Sequence, residues 1–138
     1  MLINLRGTKD SDGVLKFNMP KTNLDERFNY KIGITHLNFK LDGSRSDVEN
    51  NELISVVSNL VDLTMNNKYQ TIAYFSFNSE LDIQNIQPSI VYYQPLQLYE
   101  LENASFELYR CFVDKALDLK YLFIQLEILR LDAYGRLQ

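Results

Sequence analysis

From Lys120 to Arg130 the chain reads Lys-Tyr-Leu-Phe-Ile-Gln-Leu-Glu-Ile-Leu-Arg, and few folds accommodate such a stretch. If it is extended, Leu122, Ile124, Leu126 and Ile128 fall on one side, while the other side begins aromatic at Tyr121 and Phe123 and turns polar at Gln125 and Glu127. One face belongs in a core and the other is only partly covered, as expected of a central strand whose second face meets something else, such as another subunit. Val113, Leu117, Tyr121, Ile124, Ile128 and Leu131 also fit a helical stripe, and Gly135 would suit a helix C-terminus. Periodicity alone leaves both open; the strand is preferred because the rest of the chain reads as strands.

Phe28, Tyr30, Ile32 and Ile34 alternate with polar or small residues, and after His36 the apolar phase moves by one to Leu37, Phe39 and Leu41. A slip of one residue would turn the second half outward, so a bulge or bend near Thr35–His36 is predicted. Further strands are predicted at Leu2–Arg6, Val14–Asn18, Glu52–Val61, Tyr69–Phe77, Ser89–Gln94 and Ala104–Val113. Gly7–Gly13 reads as a turn ending in an Asp-Gly pair suited to positive φ, Met19-Pro20 closes the second strand, and Met65–Lys68 is a further turn. In the strand Tyr69–Phe77, Tyr69, Ala73, Phe75 and Phe77 are expected on one face, with Ile72 and Tyr74 on the other. The polar run Asp42–Asn51 is expected to be a mobile loop and Ser79–Gln87 irregular. Pro88 and Pro95 confine the strand between them to an edge. About eight strands with unequal loops predict an all-β protein, an eight-stranded antiparallel sandwich of single jelly-roll type spanning residues 1–138. An immunoglobulin-like domain fits less well, with no Trp for its core.

At 138 residues the chain can bury one core without staples. A single cysteine, Cys111, forms no intrachain bridge and suits a reducing compartment or a virion-like setting. No apolar run nears the roughly 20 residues that span a bilayer, and Met1–Arg6 lacks a basic stretch ahead of its apolar residues, so a soluble protein without a signal peptide is expected, in a virion or inside the cell. A net charge of −4 argues against direct contact with nucleic acid.

Segments Ile54–Val61, Thr71–Phe75, Pro88–Leu96, Phe106–Leu108 and Leu122–Leu126 resemble, in their order, the motifs of capsid proteins of polinton-like and adintovirus-like elements of invertebrates. In that family a strand ending in Asn-Leu-Val (here Asn59-Leu60-Val61), a Tyr-x-Pro-Leu segment (here Tyr93–Leu96) and a final alternating strand belong to a jelly roll. The likeness covers roughly residues 50 to 130 and consists of short motifs. The family's major capsid proteins carry two rolls in a much longer chain, whereas this one has room for one. The resemblance therefore implies a vertex (penton) subunit, a minor capsid component or a domesticated relative.

No catalytic, cofactor-binding or metal-binding residue is predicted. His36 is the only histidine and would need Cys111 or a distant serine as nucleophile, with neither in a recognisable elbow; Cys111 is expected to be buried and inert. Asp42, Asp47, Glu49 and Glu52 could hold calcium through oxygens, but lack the EF-hand order, and a solvated loop is the default. Asp10-Ser11-Asp12-Gly13 is a turn, and Asn103-Ala104-Ser105 a chance glycosylation match. Tyr92, Tyr93, Tyr99 and Tyr109 sit in the less regular strands and suit either an interface or sheet-face filling. Two functions follow as expectations. The first is a structural, capsid-like subunit that forms a homo-oligomer or shell, with other capsid proteins as candidate partners. The second is a β-sandwich module binding a carbohydrate or a protein partner, with the tyrosines as platform.

Overall fold

Alternation along the chain becomes sheet in the computed structural model, which describes residues 1–18, 21, 23–44, 47–61, 71–113 and 115–138. Met19-Pro20, the Met65–Lys68 turn, Tyr69 and Asp114 lie outside the described residues. The strands are β1 (Leu2–Lys9), β2 (Leu15–Phe17), β3 (Asn29–Leu41), β4 (Leu53–Ser58), β5 (Thr71–Ser76), β6 (Ile83–Ile86), β7 (Gln94–Pro95), β8 (Phe106–Arg110), β9 (Lys115–Ala116) and β10 (Leu119–Leu131). A single turn of 3-10 helix at Leu101–Asn103 precedes β8. No α-helix occurs among the described residues, and no helix is long and apolar enough to cross a membrane.

Two antiparallel sheets pack together as a β-sandwich. The first has the order β2-β1-β10-β3-β6, with β7 also on β3; the second has the order β5-β4-β8-β9. As the alternation of Lys120–Arg130 requires, β10 is the central strand of the first sheet, and Leu122, Ile124, Leu126 and Ile128 are buried. They meet Ile32, Ile34, Leu37 and Phe39 of β3, and Ile54, Val56 and Leu108 of the second sheet, in one apolar cluster. Phe39 joins the two layers, its ring centroid 5.5 Å from that of Phe75 and 6.5 Å from that of Phe77. Burying side chains of this size provides about 1.5–3 kcal/mol each, which is why the inward phase is kept along every long strand.

The phase slip in β3 is absorbed where it was expected. Gln125 of β10 pairs with His36 and Leu126 with Ile34, so Thr35 is the extra residue of a bulge, and Ile34 and Leu37 both point into the core. Its hydroxyl donates to Gln125 Oε1 at 2.8 Å, which ties the bulge to β10. Another register shift, in the pairing of β4 with β5, alters the expected faces: Ile72 turns into the core beside Phe75, while Tyr74 stays outside. The Asp12-Gly13 turn has Gly13 at φ 78°, in the left-handed region.

Other boundaries differ from expectation, for identifiable reasons. Ser79–Gln87 is not wholly irregular: Ile83–Ile86 forms the edge strand β6. Its inward residue is Gln84, whose amide donates to the carbonyls of Asn78 at 2.7 Å and Leu81 at 2.9 Å and accepts from the Asn78 N–H at 3.0 Å. A buried amide thus replaces the apolar residue that alternation looks for. Conversely, Ser89–Gln94 is not a strand; only Gln94–Pro95 pairs, with β3. The acidic loop is anchored by buried Val48 and by a bidentate Arg110–Glu52 ion pair at the end of the sandwich.

Candidate functional site

The first sheet presents a face to the outside, and inter-strand register fixes what lies across it. Arg6 of β1 is opposite Phe123 of β10, Phe123 opposite Asn38 of β3, and Asn38 opposite Asn85 of β6. One row along, Thr8, Tyr121, Lys40 and Ile83 align in the same way, with Lys16 of β2 beyond Thr8. In the other direction Asn4, Gln125 and His36 form a third row, where Gln125 Nε2 donates to Asn4 Oδ1 at 2.9 Å. Strands lie about 4.8 Å apart and alternate residues about 6.8 Å apart along them, so these rows make a patch about 14 Å on a side.

Arg6, Thr8, His36, Asn38, Tyr121 and Phe123 line an open depression of about 560 Å³ in this face. Phe123 and Tyr121 are half-buried and form its apolar floor. His36 packs edge to face on Phe123, ring centroids 5.6 Å apart, and its Nε2 contacts Asn85 Oδ1. The depression ends where residues 91–93 cross the sheet at Gly33. A Cβ there would lie 2.6 Å from Val91 Cγ1 and 3.0 Å from Tyr93 Cδ1, so only glycine admits the crossing segment. Tyr93 is tied down by its hydroxyl, which donates to Glu127 at 2.8 Å; burial first and this bond second hold its phenol above the usual range.

Charges on this face are unequally matched. Lys40 reaches Asp82 at 3.1 Å, and Glu127 is held by Tyr93. Arg6 is exposed, and its guanidinium has no ion-pair or hydrogen-bonding partner among the described residues.

The expected residues are scattered. His36 lies on the outer face of the first sheet, whereas Cys111 follows β8 of the second, so the two do not form a nucleophile–base pair. Cys111 is half-buried, contrary to the expectation of full burial, because β8 ends at Arg110 and the chain turns outward there. Among the described residues no three His, Cys, Asp or Glu side chains gather to hold a metal ion. Asp42 pairs with Lys9, which also reaches Asp118 at 2.7 Å, and Glu52 pairs with Arg110. The tyrosines do not form one platform. Tyr93 covers Gly33, Tyr99 donates to the Phe28 carbonyl at 2.8 Å and packs on Tyr30, Tyr109 belongs to the second sheet, and only Tyr92 is exposed. The outer-face row was hidden in the sequence because Arg6, Asn38, Asn85 and Phe123 become neighbours only through strand register. The aromatic phase of β10 was its one visible sign.

Comparison with protein-family models, with curated proteins and with solved structures found no match.

Proposed function

We propose that the chain is a structural subunit, a single jelly roll whose copies associate into a closed oligomer or shell, in the manner of a capsid vertex or minor component. Strand pairing supports the jelly-roll form. A jelly roll is a long antiparallel hairpin rolled up on itself, so its strand pairs are nested along the chain. Here β1 pairs with β10, β3 with β6 and β4 with β5, each pair enclosed by the one before. Rolling then brings β10 beside β3 and β8 beside β4. The roll is incomplete at one corner, where the two-residue β9 occupies the place beside β8 that a second long strand would fill.

The observation that carries self-association is the margin of the first sheet. Along the side where β6 is the edge strand, Leu81, Ile83, Ile90 and Tyr92 are all about half exposed or more. Natural edges are normally blunted by charge or covered, and an apolar margin beside unpaired backbone is a surface that a second chain can seal. An acidic chain repels its copies, so association has to come from buried apolar area, and added salt leaves it intact or strengthens it.

Sedimentation velocity at low and high salt, with and without nuclease, tests this. An oligomer that survives both treatments and dissociates in the Ile83→Asp, Tyr92→Glu variant is expected. A monomer at tens of micromolar, or an oligomer lost at high salt or after nuclease, overturns the proposal.

A further inference from the structure

The depression on the outer face has the makings of a recognition site, and each of its parts limits what could occupy it. Its floor is two partly exposed aromatic rings, Phe123 and Tyr121, the first in T-shaped contact with the ring of His36. Flat, partly exposed rings favour a ligand with a flat apolar face of similar width. Its walls are short neutral donors and acceptors: the hydroxyl of Thr8 and the amide of Asn38, with Asn85 and Asn4 alongside. Amides and hydroxyls set on either side of an aromatic floor match a ligand that carries hydroxyl groups around its ring edge. At about 560 Å³ the depression falls in the roughly 300–1,000 Å³ range of small-ligand sites.

Charge then narrows the class. Among the described residues that line the depression none is a carboxylate, although the protein as a whole carries −4. The Arg6 guanidinium stands at its rim without a partner among the described residues; Lys16 lies across from Thr8, and Lys40, opposite Tyr121, is paired with Asp82. A guanidinium offers a planar fork of donors that matches a carboxylate at two points, and an unpaired one beside aromatic rings is suited to a monoanion.

We propose that the outer face of the first sheet, centred on Arg6, Phe123, Tyr121 and Asn38, binds a saccharide bearing a carboxylate. One sugar face rests on the rings, the hydroxyls bond to Thr8 and Asn38, and the carboxylate meets Arg6. The proposal is separable from self-association, because none of the residues that line the depression is one of the margin residues Leu81, Ile83, Ile90 and Tyr92. An open site of this kind gives weak binding, about millimolar for one or two rings, or about 4 kcal/mol.

Amide-resolved NMR titration of the full chain with sialyllactose and with a hyaluronan tetrasaccharide is the test, with lactose and a chitin tetrasaccharide as neutral counterparts and sodium acetate as a plain anion. Shifts at residues 6, 38, 121 and 123, at least several-fold tighter for the acidic sugars, are expected. Arg6→Gln should weaken the acidic sugars about tenfold and leave the neutral ones unchanged, whereas Phe123→Leu should weaken both; Arg27→Gln, outside the depression, should change neither. Sedimentation of Arg6→Gln should match the parent, which separates loss of sugar binding from loss of assembly. No shifts at these residues up to tens of millimolar, equal affinity for acidic and neutral sugars, acetate binding as well as the sugar acids, or an Arg6→Gln protein that binds normally overturns the proposal.

Discussion

Replacing Glu52 with glutamine should destabilise the protein by about 2–3 kcal/mol. Glu52 accepts from Arg110 Nε at 2.6 Å and from Nη2 at 2.8 Å, a two-point pair whose side chains are only 7% and 18% exposed. Its Oε1 also accepts the Glu49 N–H at 3.3 Å, so the same carboxylate holds the loop that leads into β4. Glutamine keeps the shape but turns an amide towards the guanidinium, leaving Arg110 charged and poorly solvated. Removing one partner of a fully buried pair costs about 3–5 kcal/mol, and the residual exposure of Arg110 places this case below that range. In a domain of this length each kcal/mol moves Tm by about 3–4 °C, so calorimetry should show a fall of about 6–12 °C. The double variant Glu52→Leu, Arg110→Met should recover most of the loss, because no charge is then stranded. The pair also has a pH signature. Arg110 beside Glu52 holds that carboxyl below its usual value of 4.5, so its contribution is fully present above pH 4.5 and is lost as pH falls through the depressed value. Glu52→Gln should therefore flatten part of the acid limb of the stability curve. A fall of less than about 2 °C, or a double variant no better than the single one, would refute the assignment of the pair as a structural tie.

Gly33→Val should push residues 91–93 off the sheet, break the Tyr93–Glu127 bond and cost about 1–3 kcal/mol, checked by denaturation and by faster amide exchange in that segment. Phe39→Ala, which empties the space between the layers, should cost about 3–5 kcal/mol in urea unfolding. Asp25 is hydrogen-bonded by the Arg27 side chain and by its backbone N–H, which lowers its carboxyl to about 2; carbon-detected NMR titration should find that midpoint, and Arg27→Gln should move it up towards 3.8.

The long strands were legible in the sequence because a half-buried strand writes its geometry into alternation, and even the fault at Thr35 appeared as a slip in that alternation. β6 was missed because its inward side chain is polar, and Gln84 is tolerated there only because its amide meets three backbone groups. Ser89–Tyr93 has strand-like residues, but it leaves the edge and crosses the outer face at Gly33, a position decided by the absence of a Cβ elsewhere in the chain. The depression was legible only as two aromatic residues in the outer phase of β10. Its other members come from strands whose pairing alternation cannot specify.

The position of β10 between β1 and β3 has a kinetic meaning. The strand at the centre of the first sheet is the last one made, and its partner β1 is the first, with Leu5 opposite Ile124. Closing a loop of that length costs roughly 4 kcal/mol of chain entropy before any contact across it contributes. On a ribosome, β1 and β3 must therefore wait, with one side of each unpaired, until residues 119–131 emerge to join them. Folding dominated by such distant pairings is slow, on the millisecond-to-second scale, and the waiting strands are exposed edges throughout that interval. Crowded synthesis is thus the stage at which this chain is most open to pairing with the wrong partner.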